Sequence, residues 1–270
     1  MHRKHITNAM SHIFGRIADK RHYPAIQRQI NRLYAFLFKL DMSEYEPPVN
    51  YRSLNELFTR SLINMREMPR DPFSIISPCD ALITECGRVT DKTIFQIKGV
   101  SYSVDPLLLN IDAKIFEGGS YQNFYLSPRD YHHYHAPCDL KLIRVVHIPG
   151  RLYPVNKLFL RNKRNLFCLN ERAILEAKDH NGKRWILVFV AALNVGKIFF
   201  EFMPEFENLI NAEHSSEHRL NMSVKRGDSL GYFKMGSTIV MISQEGAADF
   251  NVASGCKVKF SEEIGILSKS

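Results

Sequence analysis

The sequence predicts an α+β protein in which amphipathic helices precede a strand-rich domain of antiparallel, barrel- or sandwich-like build. Three observations predict it. Apolar residues recur at helical spacing through the first forty positions. Beyond about residue 74 the apolar runs become short, rich in Val, Ile and Phe, and punctuated by Gly, Pro, Asn and Asp. Hydrophobic content of 45% and charged content of 24% are those of a globular chain, which excludes a disordered one.

Each element follows from its residues. Ile6, Met10, Ile13, Phe14 and Ile17 form a first helical stripe, with Arg16 and Asp19 off it. His22-Tyr23-Pro24 interrupts, and Pro24 suits the first turn of a second helix. That helix aligns Ile26, Ile30, Leu33, Leu37 and Leu40 opposite Arg28, Arg32 and Lys39. Glu46-Pro47-Pro48 closes the helical region, dividing the chain into residues 1–48 and 49–270. A short helix is expected over Ser53–Thr59, then strands at Lys141–Ile148, Trp185–Leu193, Lys197–Phe202 and Thr238–Ile242. Pro-Cys-Asp occurs at Pro78-Cys79-Asp80 and again at Pro137-Cys138-Asp139, each before an apolar run; matching hairpins of a duplicated β unit and coincidence both account for this.

Charge and cysteines narrow the setting. Net charge is +8, and the first forty residues hold eight Lys or Arg against Asp19 alone. Such helices pack on their own domain or lie on an anionic membrane surface. No nucleic-acid recognition motif accompanies the charge. No run is long and apolar enough for a spanning helix. Five cysteines without a CxxC pair, and no evident signal peptide, suggest reduced thiols in a reducing compartment.

The chemistry concentrates at two places. Gly236-Ser237-Thr238 joins a residue with no side chain to shield its carbonyl to one able to attack it. A turn is the plain alternative, and the Gly-x-Ser-x-Gly elbow of ordinary serine hydrolases is absent. The second place is Arg129-Asp130-Tyr131-His132-His133-Tyr134-His135, three histidines suited to proton transfer near neutral pH. In an extended strand His133 and His135 share one face and His132 the other; a bend brings His132 and His135 to one pocket. Zinc on His133, His135 and Cys138 is an alternative that lacks a fourth ligand at a customary spacing, so no metal is expected.

From about Tyr51 onward the chain resembles the phosphatidylserine decarboxylases. Leu54-Asn55-Glu56-Leu57-Phe58-Thr59-Arg60, Ser77-Pro78-Cys79-Asp80-Ala81 and Gln96-Ile97-Lys98-Gly99 are similar to three of that family's segments. Arg129-Asp130-Tyr131-His132-x-x-His135-x-Pro137-Cys138 resembles its histidine motif. Gly227-Asp228-x-x-Gly231-Tyr232-Phe233-x-x-Gly236-Ser237-Thr238 resembles its processing site. Met235, Ala81 and Ala191-Ala192 depart from the usual residues at their positions, and none is a reacting group.

The resemblance implies a self-processing enzyme that converts phosphatidylserine to phosphatidylethanolamine and CO2. It implies that Asp80 orients His135, that His135 deprotonates Ser237, and that Ser237 attacks the Gly236 carbonyl. Elimination from the resulting ester splits the chain into a β chain, 1–236, and an α chain, 237–270, which remain partners. Ser237 becomes a covalent pyruvoyl group (the pyruvate cofactor) that forms a Schiff base with the substrate amine. His132 is implied in positioning the substrate or transferring a proton during decarboxylation. Residues 1–48 would then hold a peripheral enzyme on an anionic membrane, at the cytoplasmic face of a bacterial inner membrane. A homodimer is compatible with this, and nucleic acid is not an expected partner. Two alternatives stay open: a pyruvoyl decarboxylase of another serine phospholipid or amino acid, and a lipid-binding relative that never cleaves.

Overall fold

In the computed structural model the residues described are 15–97, 99–193, 197–209, 212–234 and 237–269. Most of the first helical stripe, together with Met235 and Gly236, lies outside them. Residues 15–19 are helical. Helix α1 (Pro24–Phe38) begins with Pro24 in its first turn, as expected. Its burial reverses the usual pattern. Gln27 and Asn31 are its buried residues, linked side chain to side chain at 2.8 Å. Asn31 also donates to the Pro48 and Tyr51 carbonyls, both at 2.9 Å. Ile26, Leu33, Phe36 and Leu37 face outward, Phe36 with 79% of its surface exposed. Helix α2 (Leu54–Phe58) follows, its amino end capped by Ser53, which accepts from the Glu56 N–H.

Sixteen strands are found among the described residues. The first five are β1 (Ser74–Ile76), β2 (Ala81–Arg88), β3 (Thr93–Ile97), β4 (Val100–Ser103) and β5 (Ser120–Leu126), with α3 (Val104–Leu108) after β4. Next come β6 (His133–His135), β7 (Leu140–Ile148), α4 (Lys157–Asn162), α5 (Leu166–Leu169), β8 (Arg172–Lys178), β9 (Arg184–Val190) and β10 (Lys197–Phe200). The last are β11 (Ser216–Val224), β12 (Ser229–Lys234), β13 (Ser237–Ser243), β14 (Ala248–Phe250), β15 (Lys257–Val258) and β16 (Glu263–Leu267). They form an eight-stranded sheet, β11-β7-β8-β9-β13-β5-β2-β15, two three-stranded sheets, β1-β16-β14 and β10-β12-β6, and the β3-β4 hairpin. Pairing is antiparallel throughout. Strands β9 and β13 are covered on both faces, which is why Trp-Ile-Leu-Val-Phe-Val and Thr-Ile-Val-Met-Ile read as continuous apolar runs. The predicted Trp185–Leu193 strand ends early, at Val190.

The repeated Pro-Cys-Asp marks a duplication. The β1–β16 pairs Ser74–Ile266, Ile75–Gly265 and Ile76–Glu263 recur in β6–β12 as His133–Tyr232, Tyr134–Gly231 and His135–Ser229. The β2–β15 pairs Ala81–Val258 and Leu82–Lys257 recur in β7–β11 as Leu140–Val224 and Lys141–Ser223. The bulge between Ile83 and Glu85 recurs between Leu142 and Arg144. Even the tight approaches match. A Cβ on Gly231 would lie 1.8 Å from the Phe199 carbonyl oxygen, and one on Gly265 2.5 Å from that of Asp249. The two halves meet along β9–β13. One half consists of β1–β5 and β13–β16; the other, β6–β12, is inserted into it between Leu126 and Ser237. Ser237 is therefore the first described residue where the chain re-enters its outer half.

Candidate active site

Ser237 opens β13 opposite Leu126 at the end of β5. It is fully buried, and among the described residues its hydroxyl has no hydrogen-bond partner, as is also true of Thr238 and Ser243 on the same strand. A buried, unsatisfied hydroxyl carries a desolvation cost that packing alone does not explain. From Leu126 the chain runs through Ser127–Tyr131, a loop held by Asp130, whose carboxylate accepts from the Ser127 N–H at 2.6 Å and hydroxyl at 2.7 Å. Burial nevertheless holds the Asp130 carboxyl above its usual pKa. The loop delivers His132, whose carbonyl accepts from the Phe233 N–H at 3.0 Å, a few residues before Ser237.

Strand alternation places the three histidines as expected. His133 and His135 both stack on Tyr131, at centroid distances of 4.9 and 5.8 Å. His132 stacks instead on Phe58 of α2, at 3.8 Å. It is wholly buried beside the Ser127 and Pro128 backbone, and neither ring nitrogen makes a hydrogen bond of normal geometry. Burial, reinforced by the charge of Arg60, drives its pKa far below the ordinary value, so the imidazole is neutral. His133 donates from Nε2 to the Thr59 carbonyl at 2.9 Å.

His135 is the more ordered base. Burial lowers its pKa to about 4. Nδ1 donates to the Gly227 carbonyl at 3.0 Å, which leaves the Nε2 lone pair to accept from the Tyr131 hydroxyl at 3.2 Å. Phe260 covers the ring face to face, 3.7 Å away. The neutral tautomer with its lone pair on Nε2 is the form a general base needs, once the Tyr131 hydroxyl gives way.

Asp80 lies close by but is engaged differently from the sequence expectation. Its carboxylate makes no hydrogen bond to His135. It accepts from the Phe260 N–H at 2.8 Å and, through both oxygens, from Arg66 at 2.6 and 3.0 Å. Arg66 in turn holds Glu44 with two bonds, at 2.7 and 2.9 Å. Asp80 thus reaches His135 through Phe260, whose backbone it fixes and whose ring lies on the imidazole. The Ser237 hydroxyl is likewise not bonded to His135. The Gly236 carbonyl lies outside the described residues. Asp80 also lines a cleft of about 500 Å3 together with Lys39, Tyr45, Tyr125, Arg129 and Lys257.

Two residues escaped sequence reasoning. Tyr131 sits inside the histidine motif, and only the fold reveals that its hydroxyl occupies Nε2. Arg66 lies in a stretch with no periodicity, so nothing in the sequence singled it out. Arg60, quoted as part of a motif, proves to be buried with Nε and Nη1 unpaired, while Nη2 donates to the Arg129 and Asp130 carbonyls. The set considered for zinc is not gathered: among the described residues no group of three or more His, Cys, Asp or Glu is placed to hold a metal.

A family model described as phosphatidylserine decarboxylase matches residues 54–266. The phosphatidylserine decarboxylase proenzyme of Helicobacter pylori (strain ATCC 700392 / 26695) is 46% identical over 262 residues, covering 96% of this chain and 97% of that protein. The proenzyme of the same name from Campylobacter jejuni is 40% identical over 261 residues, covering 94% and 97%. That from Brevibacillus brevis is 36% identical over 241 residues, covering 87% and 84%.

Proposed function

The chain belongs to the phosphatidylserine decarboxylase family, and from that premise we propose that it is a proenzyme that cuts itself between Gly236 and Ser237 and then decarboxylates phosphatidylserine. The observation that carries the reading is Ser237: a buried hydroxyl with no partner, directly after a glycine, where the chain passes from its inserted half back to its outer half. No structural bond is lost when such a hydroxyl is consumed.

In processing, Ser237 supplies the oxygen that attacks the Gly236 carbonyl, and His135 takes its proton. The low pKa of His135 keeps Nε2 unprotonated at neutral pH, and the Nδ1 bond to Gly227 fixes the tautomer. For Nε2 to serve Ser237 it must exchange the Tyr131 hydroxyl for the serine's. Asp80 acts on this histidine by holding Phe260 against it, with Arg66 gripping both carboxylate oxygens.

The residues present fit a pyruvoyl group at position 237, because the side chain there is dry, small and unbonded. That group would supply a carbonyl to condense with the substrate amine and an electron sink for the carbanion left by CO2. His132 is neutral, and beside the Ser127 and Pro128 backbone neither nitrogen makes a hydrogen bond of normal geometry, so no strong contact holds it away from a proton-transfer role.

A long-chain lipid substrate resides in a bilayer. No helix among the described residues is long and apolar enough to cross one. The outward apolar face of α1, with basic residues before and along it, supports peripheral attachment to an anionic surface. The cytoplasmic face of the cell membrane agrees with five cysteines that are all free thiols. Intact mass of the purified protein tests the central claim. Two fragments breaking between Gly236 and Ser237, the smaller with a blocked amino terminus, are expected; a single uncut chain that turns over phosphatidylserine overturns it.

A further inference from the structure

Register places the connection between β7 and β8 at the Ser237 end of the large sheet. Ser237 lies opposite Leu126, and its neighbour Thr238 opposite Val190; Val190 pairs with Arg172, and Arg172 with Ile148. The chain therefore leaves the sheet at Ile148 and rejoins it at Arg172, at the end where β13 begins. Residues 151–170 in this connection hold five basic residues, Arg151, Lys157, Arg161, Lys163 and Arg164, and no acid. Within them α4 presents Leu158, 66% exposed, and Phe159, 37% exposed. Arg161 and Arg164 are exposed too. Among the described residues no carboxylate pairs with Arg151, Arg161, Lys163 or Arg164. The segment is nonetheless firmly attached. Gln96 donates to the Leu160 and Lys163 carbonyls at 2.7 and 3.0 Å and accepts from the Leu166 N–H at 2.8 Å, while Leu160 and Leu166 are buried.

We propose that α4 is a second membrane-contact element, separate from α1, that inserts Leu158 and Phe159 into an anionic lipid surface while the surrounding cations hold its headgroups. Exposed apolar side chains ringed by uncompensated positive charge match an anionic bilayer, where the Phe159 ring and the Leu158 tip leave water and each cation adds attraction to the headgroups. A second contact beside α1 also restricts the protein's orientation on the membrane, keeping the Ser237 end of the sheet toward the lipid. The value of that orientation rests on the decarboxylase reading; the contact itself does not.

The test is sedimentation with vesicles of equal parts phosphatidylglycerol and phosphatidylcholine. Leu158→Asp/Phe159→Asp, and separately Arg161→Glu/Lys163→Glu/Arg164→Glu, are each expected to weaken binding about tenfold or more. The loss in the charge variant should shrink as salt rises. Both variants should retain the wild-type Tm and the wild-type rate on a short-chain phosphatidylserine below its micellar concentration, yet slow on bilayer substrate. If only one variant folds, its binding decides the matter. Unchanged vesicle binding overturns the proposal, as does a variant that binds vesicles normally but converts a dimer to a monomer, since the face then joins two copies of this chain. Weakened binding in a protein that decarboxylates nothing leaves the contact standing and removes the functional reading instead.

Discussion

Asp80 and Asp139 hold equivalent turns in the two halves of the molecule. Asp80 accepts from the Phe260 N–H at 2.8 Å, and Asp139 from the Arg226 N–H at 2.9 Å. Around them Ser77 N–H bonds the Glu262 carbonyl as Ala136 N–H bonds that of Asp228. The turns place Gly227 and Ser261 at matching positive φ, 86° and 77°. The aspartate therefore has an architectural role common to both halves. What distinguishes Asp80 is its second partner, the inner guanidinium of Arg66, where Asp139 has the exposed Lys225.

Arg66→Met should consequently cost about 3 kcal/mol, because it strands the little-exposed Asp80 carboxylate and removes a partner of Glu44. The same change should slow self-cleavage at least tenfold, on the order expected when a base loses its alignment. Lys225→Ala, at the equivalent turn, should leave processing at the wild-type rate. Denaturant melts and the time course of chain cleavage on gels check both.

Ser237→Ala should remain full length and inactive, with stability within about 1 kcal/mol of the uncleaved precursor, since the lost hydroxyl makes no hydrogen bond among the described residues. His135→Ala should also fail to process. His132→Ala should cleave normally but decarboxylate poorly. Intact mass and CO2 release separate the three, and normal turnover in His132→Ala refutes that residue's role.

Acid should destabilise the uncleaved Ser237→Ala chain earlier than its carboxylates require. The folded-state pKa values of His132, His133 and His135 are all depressed, chiefly by burial, with His135 at about 4. Groups of this kind contribute fully above the unfolded histidine value of about 6.5, and the contribution is lost as pH falls toward the folded value. Stability should therefore decline from about pH 6.5 toward 4. His135→Phe should flatten part of that slope; an unchanged slope means that His135 titrates normally in the fold.

On α1, Leu33→Asp/Phe36→Asp/Leu37→Asp should weaken vesicle binding several-fold without lowering Tm, because those side chains already face water. Gln27→Ala/Asn31→Ala should do the reverse, lowering Tm by breaking the buried bonds to Pro48 and Tyr51.

The α+β class, helix α1 and four of the sixteen strands were legible in the sequence, and so were the residue types proposed for the site, for local reasons. Helical and strand spacing, a proline in a first turn, a glycine before a serine and a histidine cluster are properties of neighbours along the chain. The duplication was visible only as one repeated tripeptide. Its remaining matches lie in backbone pairing and in glycines that let strands approach, and these place few demands on side-chain identity. Which face of α1 is buried was also beyond the sequence, since periodicity marks an apolar stripe but not whether protein or lipid covers it. Tertiary structure alone paired Asp80 with Arg66, put Tyr131 on His135 and left Ser237 unbonded. Asp80 and Arg66 are 14 residues apart and Tyr131 and His135 only 4, yet whether they meet is decided by how two interleaved halves close on each other.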